Sequence, residues 1–337
     1  MTATDIHIEF AGNPLDESNF HKLKNGLKNS NGISYTDFKK ALKPDYNKVW
    51  IDIISGWAGL IMVLLTAFWL FKHAGMLFSV FITISAAVLL GYIIAYLINF
   101  FHEAAHFNIA ANKKMNDTLA NFFIGILIAQ GIKNYRIVHW QHHVALGTTS
   151  DTENSYFESL NLHFFVTSLT GISALKFFFT RNEYVTNQHK IPAKIIKLEK
   201  YSQLAVSLAF HLSLLAVFYY IHAYWMMATW FIAVAGFYPF FNRLRQLMEH
   251  RSENANHHTN YHIVSHGKTN RLFGNSLIDK TFGSAGFNKH LLHHLEPSVS
   301  YTSMNELEIF LKDTAIGETL KKQQTTYLRI FKKLLNR

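Results

Sequence analysis

Histidine is where this sequence concentrates its chemistry. His102-Glu-Ala-Ala-His106 sets two imidazoles four residues apart, and two further clusters, His139-Trp-Gln-His142-His143 and His290-Leu-Leu-His293-His294, repeat the pattern HxxHH. His250 stands by itself between the second and third clusters. Helical residues at i, i+3 and i+4 share a face, so each cluster can aim two or three rings at one point. Neutral imidazole is a favoured ligand for iron, zinc and copper. The chain has 20 histidines, so single pairs at this spacing arise by accident; the repeated HxxHH is harder to reach that way. Eight or nine converging rings exceed what one tetrahedral zinc can use, and two metal ions are the economical reading. His257, His258, His262 and His266 lack the paired spacing, stand among Asn, Ser and Thr, and are expected as loop residues. Acids beside metal-bound histidines commonly accept the free ring N–H, which makes Glu103, Asp151, Glu249 and Glu296 candidates for that role.

These side chains need a platform, and apolar runs supply one. Of 337 residues 49% are hydrophobic and 16% charged, below the quarter usual in soluble domains. Residues 51–71 carry one charge, Asp52, at the start, and residues 76–101 and 204–241 carry none. A crossing needs about twenty apolar residues. The first two runs can each cross once; the 38-residue third can cross twice, with its break near His222-Ala223. The expected spans are about 51–71, 76–101, 204–221 and 224–241, in an all-α integral membrane protein of two hairpins. A helical cap from 102–200 and 242–310 carries the clusters and completes a membrane domain over 51–310. Residues 119–132 are short for a span and are expected at the interface or re-entrant. Residues 160–179 carry His163, Gly171 and Lys176. If all clusters face one side, the crossings between the second and third must be even in number, so this stretch is read as an interfacial helix.

With four crossings, all lysines and arginines except Lys72 fall on the histidine side, which the positive-inside rule assigns to the cytoplasm. The net charge of +10 is then explained by topology and anionic headgroups, and no aromatic-basic motif points to nucleic acid. Cysteine is absent, which excludes disulfides, thiolate ligands, and iron–sulfur or blue-copper sites. Residues 1–16 hold no apolar stretch of a signal peptide. Residues 1–50 are expected as a cytoplasmic segment whose short amphipathic helix, 35–42, either leads into the first span or is a mobile tail. Residues 311–337 are expected as the greater part of an amphipathic helix beginning near Glu306, with lysines opposite an apolar face, lying on the membrane surface.

Several chemistries compete for the clusters. HEAAH matches HExxH, the zinc-protease motif, but that reading leaves HWQHH and HLLHH unused. A metal transporter should carry polar ligands inside its spans, where this chain has only scattered Ser, Thr, Asn and His211. Two ferrous ions with open positions could instead bind dioxygen and oxidise an unactivated C–H bond. The protein's part would be positioning and a dry cavity.

The three clusters, in order and in their placement against the apolar runs, resemble the membrane fatty acid desaturases and their hydroxylase relatives over about residues 35–310. The family pattern is HxxxH or HxxxxH, then HxxHH, then HxxHH or QxxHH. The segment from Asn288 through His290, His293 and His294 to Pro297 and Tyr301 resembles the family's third box and its sequel, and Asp151 resembles the acid after the second box. The resemblance implies four spans, a cytoplasmic cap and two irons held by His102, His106, His139, His142, His143, His290, His293 and His294, with His250 as a ninth ligand. Some relatives have an Asn one turn before that ninth histidine, reaching iron through water; here the position is Gln246. Gln246 and Asn288 thus join the acids as candidate supports. The implied reaction is dioxygen-dependent desaturation of an acyl chain. The HxxxH first box resembles acyl-lipid enzymes, and His290 in place of Gln argues against front-end desaturases. No haem-binding His-Pro-Gly-Gly segment occurs, so a separate ferredoxin or cytochrome b5 would deliver electrons, its acidic face meeting the basic cap. A hydroxylase, ketolase or acetylene-forming enzyme would use the same site.

Overall fold

A computed structural model describes residues 15–173, 175 and 193–335. The fold is helical apart from one two-residue parallel pairing, Leu272–Phe273 with Gln324–Thr325, and an isolated bridge between Lys28 and Ser34. Four helices are long and apolar enough to cross a membrane: Tyr46–Phe71, Met76–Ala105, Lys197–Tyr220 within the longer helix Ala193–Tyr220, and Tyr224–His250. Asp45 caps the first span and Gly75 the second, and left-handed His222 turns the third into the fourth. Each of the four outruns its apolar stretch by several residues at one end or both. In the second and fourth the excess carries the histidines: His102 lies in the last turn of the second span, and His250 ends the fourth.

Apolar helices gain little from hydrophobicity when lipid surrounds them, so close backbone approach has to hold them together. Small residues provide it. A Cβ on Gly56 would lie 2.6 Å from Leu97 Cδ2 of the second span. One on Gly91 would lie 2.4 Å from Phe237 Cβ and 2.8 Å from the Tyr238 nitrogen. The fourth span widens into a π-helical turn at Ala233–Phe237, which brings Gly236 against the Leu169 carbonyl of the helix Leu162–Leu169. Residues 113–132 are a broken helix rather than a crossing. It is tied to the first span by Trp50 and Trp57, whose indoles donate to the Ile109 and Phe123 carbonyls, and to the third by Gln203 and Ser207. Beyond Ser173, the expected helix of residues 160–179 lies outside the described residues except for Leu175.

The C-terminal end departs from expectation, whereas at the N-terminal end the expected short helix is present as Tyr35–Ala41. The C-terminal stretch is three helices, Met304–Lys312, Gly317–Lys322 and Tyr327–Leu335, and not one continuous helix. The apolar face of the last is buried on the cap, with Tyr327 stacked on Phe273 at 3.7 Å and Ile330 and Leu334 inside. From Leu15 the N-terminal segment is not a loose tail. Leu15, Phe20, Leu27 and Tyr35 share a core with Leu291, Leu292, Leu295, Leu307 and Phe310.

Candidate metal centre

The end of the second span is keyed to the helix of the second cluster. A helix terminus leaves carbonyls unpaired, and burying them needs donors. Arg136 donates from Nε to the Ala105 carbonyl at 2.8 Å and from Nη2 to Ala104 at 3.0 Å, and Asn116 adds a bond to Ala104. Asp117 holds the guanidinium in place. Arg136 sits one turn before His139, in the helix Ile132–Ala145, so the cap that ends one helix also sets the register of the other. Glu199 of the third span accepts from the Lys133 and Asn134 N–H groups at that helix's start, where negative charge is favoured. The fourth span ends in the same manner: Arg271 donates to the Met248 and Arg251 carbonyls, and buried Arg251 binds the Tyr156 and Phe157 carbonyls. The third cluster occupies the short helix His290–Leu295, fastened by the Leu291 N–H to the Arg271 carbonyl.

All nine histidines singled out in the sequence meet here, and all are buried. His102, His106, His139, His143 and His293 form one group whose ligand atoms lie within 4.8 Å of one another; His142, His250 and His294 form a second. His290 joins the second through its Nε2, 2.9 Å from His250 Nε2. The groups adjoin, the His143 and His294 rings being 4.3 Å apart. His257, His258 and His262 belong to neither, and His266 accepts from the Ser252 N–H instead.

The opposite ring nitrogens show which nitrogen several of the rings turn inward. His139 Nδ1 faces Glu153 at 3.0 Å, His142 Nδ1 faces Asp151 at 2.9 Å, His294 Nδ1 faces Glu17 at 2.8 Å, and His250 Nδ1 faces the Thr269 carbonyl at 3.0 Å. A carbonyl or carboxylate can only accept, so Nδ1 carries the proton and Nε2 of the neutral ring is a bare lone pair. Those bare nitrogens turn inward: His139 Nε2 lies 2.9 Å from His106 Nε2 and 3.0 Å from His143 Nε2, and His293 Nε2 lies 3.1 Å from His143 Nε2. Two nitrogens bound to one ion at right angles, each about 2.1 Å from it, sit about 3 Å apart. Both ring nitrogens of His102 and the Nε2 of His294 are buried without a partner, a cost of about 1–3 kcal/mol each. Cations between the rings would take up the converging lone pairs, the Nε2 of His294 and one nitrogen of His102. The donor set, all imidazole with no thiolate, suits iron, zinc or copper.

The candidate supports divide. Asp151 is fully buried and saturated: it also accepts from Tyr156 Oη and from the Glu153 and Gly147 N–H groups. Gln246 donates to Glu153 at 3.0 Å and so acts one step behind His139. Glu103 lies 3.8 Å from His102 Nδ1 and accepts from the Tyr301 N–H and Asn108; Glu249 lies 3.9 Å from His290 Nε2 and accepts from Tyr327. Glu296 and Asn288 correct the expectation. Glu296 turns to Lys24 and Lys39, and Asn288 donates to the Gly274 carbonyl. Sequence reading missed Glu153, Glu17 and Thr269. Beside the five-membered group lies a cavity of about 10 Å³, room for about one water, lined by His102, His290, His293, Phe287, Tyr301 and Met304 among others.

Burial holds His143, His290, His293 and His294 well below the ordinary histidine range, and the neighbouring rings add to it. Burial would depress His142 as well, but the Asp151 carboxylate outweighs it with help from Glu153 and Glu17, and the ring is raised to about 9. Without a metal it therefore holds a second proton at Nε2, which a bound cation would displace.

Residues 79–315 match the model of the fatty acid desaturase family. The chain belongs to that family. Its activity is therefore of the desaturase or hydroxylase type, an oxidoreductase acting on a lipid acyl substrate, and the four apolar helices are those of a membrane protein. No curated protein matches the chain at a significant level. The family match begins inside the second span and ends after the helix Met304–Lys312, so it takes in all nine histidines but not Glu17.

Proposed function

We propose that this desaturase-family protein introduces a double bond into a fatty acyl chain, of an acyl lipid by the form of its first box, using dioxygen and electrons from a separate ferredoxin or cytochrome b5. His102, His106, His139, His143 and His293 would hold one iron, and His142, His250, His290 and His294 the other. Bound there, the irons would supply dioxygen activation and the oxidising power to take hydrogen from an unactivated C–H bond. The chain's own residues do the rest. Asp151 and Glu153 hold His142 and His139 in the tautomer that presents Nε2, and Gln246 fixes Glu153. Burial of every ring keeps bulk water out of the site. The spans that deliver His102 and His250 are the surface along which an acyl chain would lie. The cap would face the cytoplasm, where its basic residues could receive an acidic donor.

The observation that carries this reading is the convergence of nine buried imidazoles in two adjoining groups within a desaturase-family chain. Lipid analysis of cells expressing the protein with its electron donor, beside cells expressing His142→Ala, tests it. New unsaturated acyl chains should appear with the first and be abolished in the second, since His142 serves the second group and leaves the first intact. Hydroxylated or keto products in their place would move the reaction to the related oxygenases. Zinc without iron in the purified protein would sink the di-iron reading.

A further inference from the structure

Among the supports of the second group, one comes from outside the family-matched region. His294 is buried, its Nε2 has no partner, and its Nδ1 lies 2.8 Å from Glu17 Oε1. Glu17 opens the short helix Glu17–Leu23, behind the N-cap Asp16, and its second oxygen lies 3.7 Å from Lys268 Nζ. An arm of residues 15–42 carries this carboxylate and is strapped down on three sides. Lys24 and Lys39 both pair with Glu296, two residues beyond His294. The Leu15 N–H donates to Gln323 Oε1, and Gln323 donates back to the Leu15 carbonyl. Ser30 donates to Asp313. The contact itself repeats what Asp151 does for His142 and Glu153 for His139.

We infer that Glu17 is a positioning residue for His294, so that an N-terminal arm completes the metal group formed by His142, His250, His290 and His294. The carboxylate accepts the Nδ1–H, which leaves the lone pair on Nε2 and fixes the rotation of the ring toward His142 and His250. Glu17 also lies within reach of His143 and His294 as a ligand in its own right. Its oxygen, however, is occupied at Nδ1, across the ring from the orphaned Nε2, which favours orientation over ligation. The inference rests on the two-iron reading above.

The test titrates ferrous iron, without oxygen, into the metal-stripped full-length protein in detergent. The wild type should take up two equivalents. Glu17→Ala should keep the first and bind the second about 10- to 100-fold more weakly, the usual effect of losing such a support. Glu17→Gln keeps an acceptor oxygen and should restore the second equivalent, while the Mössbauer signal of one iron shifts and that of the other does not. Phe20→Ala loosens the arm that carries Glu17 and should likewise weaken the second equivalent more than the first. Two equivalents at wild-type affinity in Glu17→Ala, or both weakened alike, would overturn the inference and leave the two-iron reading standing. Should Glu17→Ala fail to fold, Glu17→Gln decides: no single-site spectral shift overturns the inference. A wild type that takes up fewer than two irons brings down the two-iron reading and this inference with it.

Discussion

Burial sets the protonation of the site before any metal arrives. His143, His290, His293 and His294 take up protons well below their ordinary value of 6.5 because burial, and then the surrounding rings, penalise the charged form. In the unfolded chain these rings protonate near 6.5, so over the interval below that value the unfolded state binds more protons. Stability is therefore full above about pH 6.5 and falls as the pH drops further. His142 has the opposite sign: raised to about 9, its contribution is full below 6.5 and fades as the pH rises toward 9. Below 6.5 it no longer varies and cannot offset the other four. The metal-stripped protein, followed by circular dichroism, should thus lose melting temperature steadily from about pH 6.5 to about 5. The raised carboxyl of half-buried Glu17 works in the opposite sense, so the loss should be steeper in Glu17→Gln. A melting temperature that rises as the pH falls through this range in that variant would contradict the burial of these rings. The histidines themselves were legible because their pairing is local, written into helical spacing. Their partners were legible only where they were also local, as with Asp151. Glu17 and Thr269 reach the site by tertiary folding, and a backbone carbonyl leaves no mark in a sequence. Glu296 shows the same limit from the other side. It stands two residues from His294, but the helix ends at Leu295, and the non-helical backbone there (φ −141°, ψ 74°) turns the buried carboxylate away from the rings to two lysines.

At the scale of elements, the two spans that carry ligands must meet closely, and Gly91 is where they do. An alanine there would set its methyl against Phe237 Cβ and the Tyr238 nitrogen, and backbone cannot yield as a flexible side chain can. Overpacking of this kind costs about 1–3 kcal/mol. Because His102 and His250 ride on the far ends of the same helices, the strain should also reach the metal groups. Gly91→Ala is expected to lower the melting temperature and the iron retained through purification. Gly59→Ala, which meets only Ile93 Cδ1 at 3.4 Å in the neighbouring interface, should do little of either. Equal behaviour of the two variants would remove Gly91 from the argument. The apolar runs revealed the spans but not this contact. A π-helical turn inserts one residue into an otherwise uniform apolar stretch, and nothing in the composition of Ala233–Phe237 announces it. The C-terminal helix was misjudged for a related reason. Its apolar periodicity is real, but it serves three short helices that face the cap, with the strand pairing at Gln324–Thr325 between the second and third.

For the whole molecule the question is which side of the membrane holds the site, and the charge distribution predicts the cytoplasmic side. With the four crossings proposed, every histidine cluster lies on one face, and the turn around Lys72 and the one at His222 on the other. Among the described residues Lys72 is the single lysine or arginine on that second face, and the excess of positive charge opposite it is the usual mark of the cytoplasmic side. The absence of cysteine makes this directly measurable, because an introduced thiol is the only one in the protein. Lys72→Cys and Lys332→Cys are both at exposed positions, one in the turn between the first two spans and one on the outer face of the last helix. In intact cells a membrane-impermeant maleimide should label Lys72→Cys, and Lys332→Cys only after permeabilisation. The reverse pattern would turn the protein over and put the site outside the cytoplasm. Labelling of both positions from one side would break the four-crossing arrangement itself. Retained lipid activity in the two variants would tie the labelled topology to the working protein.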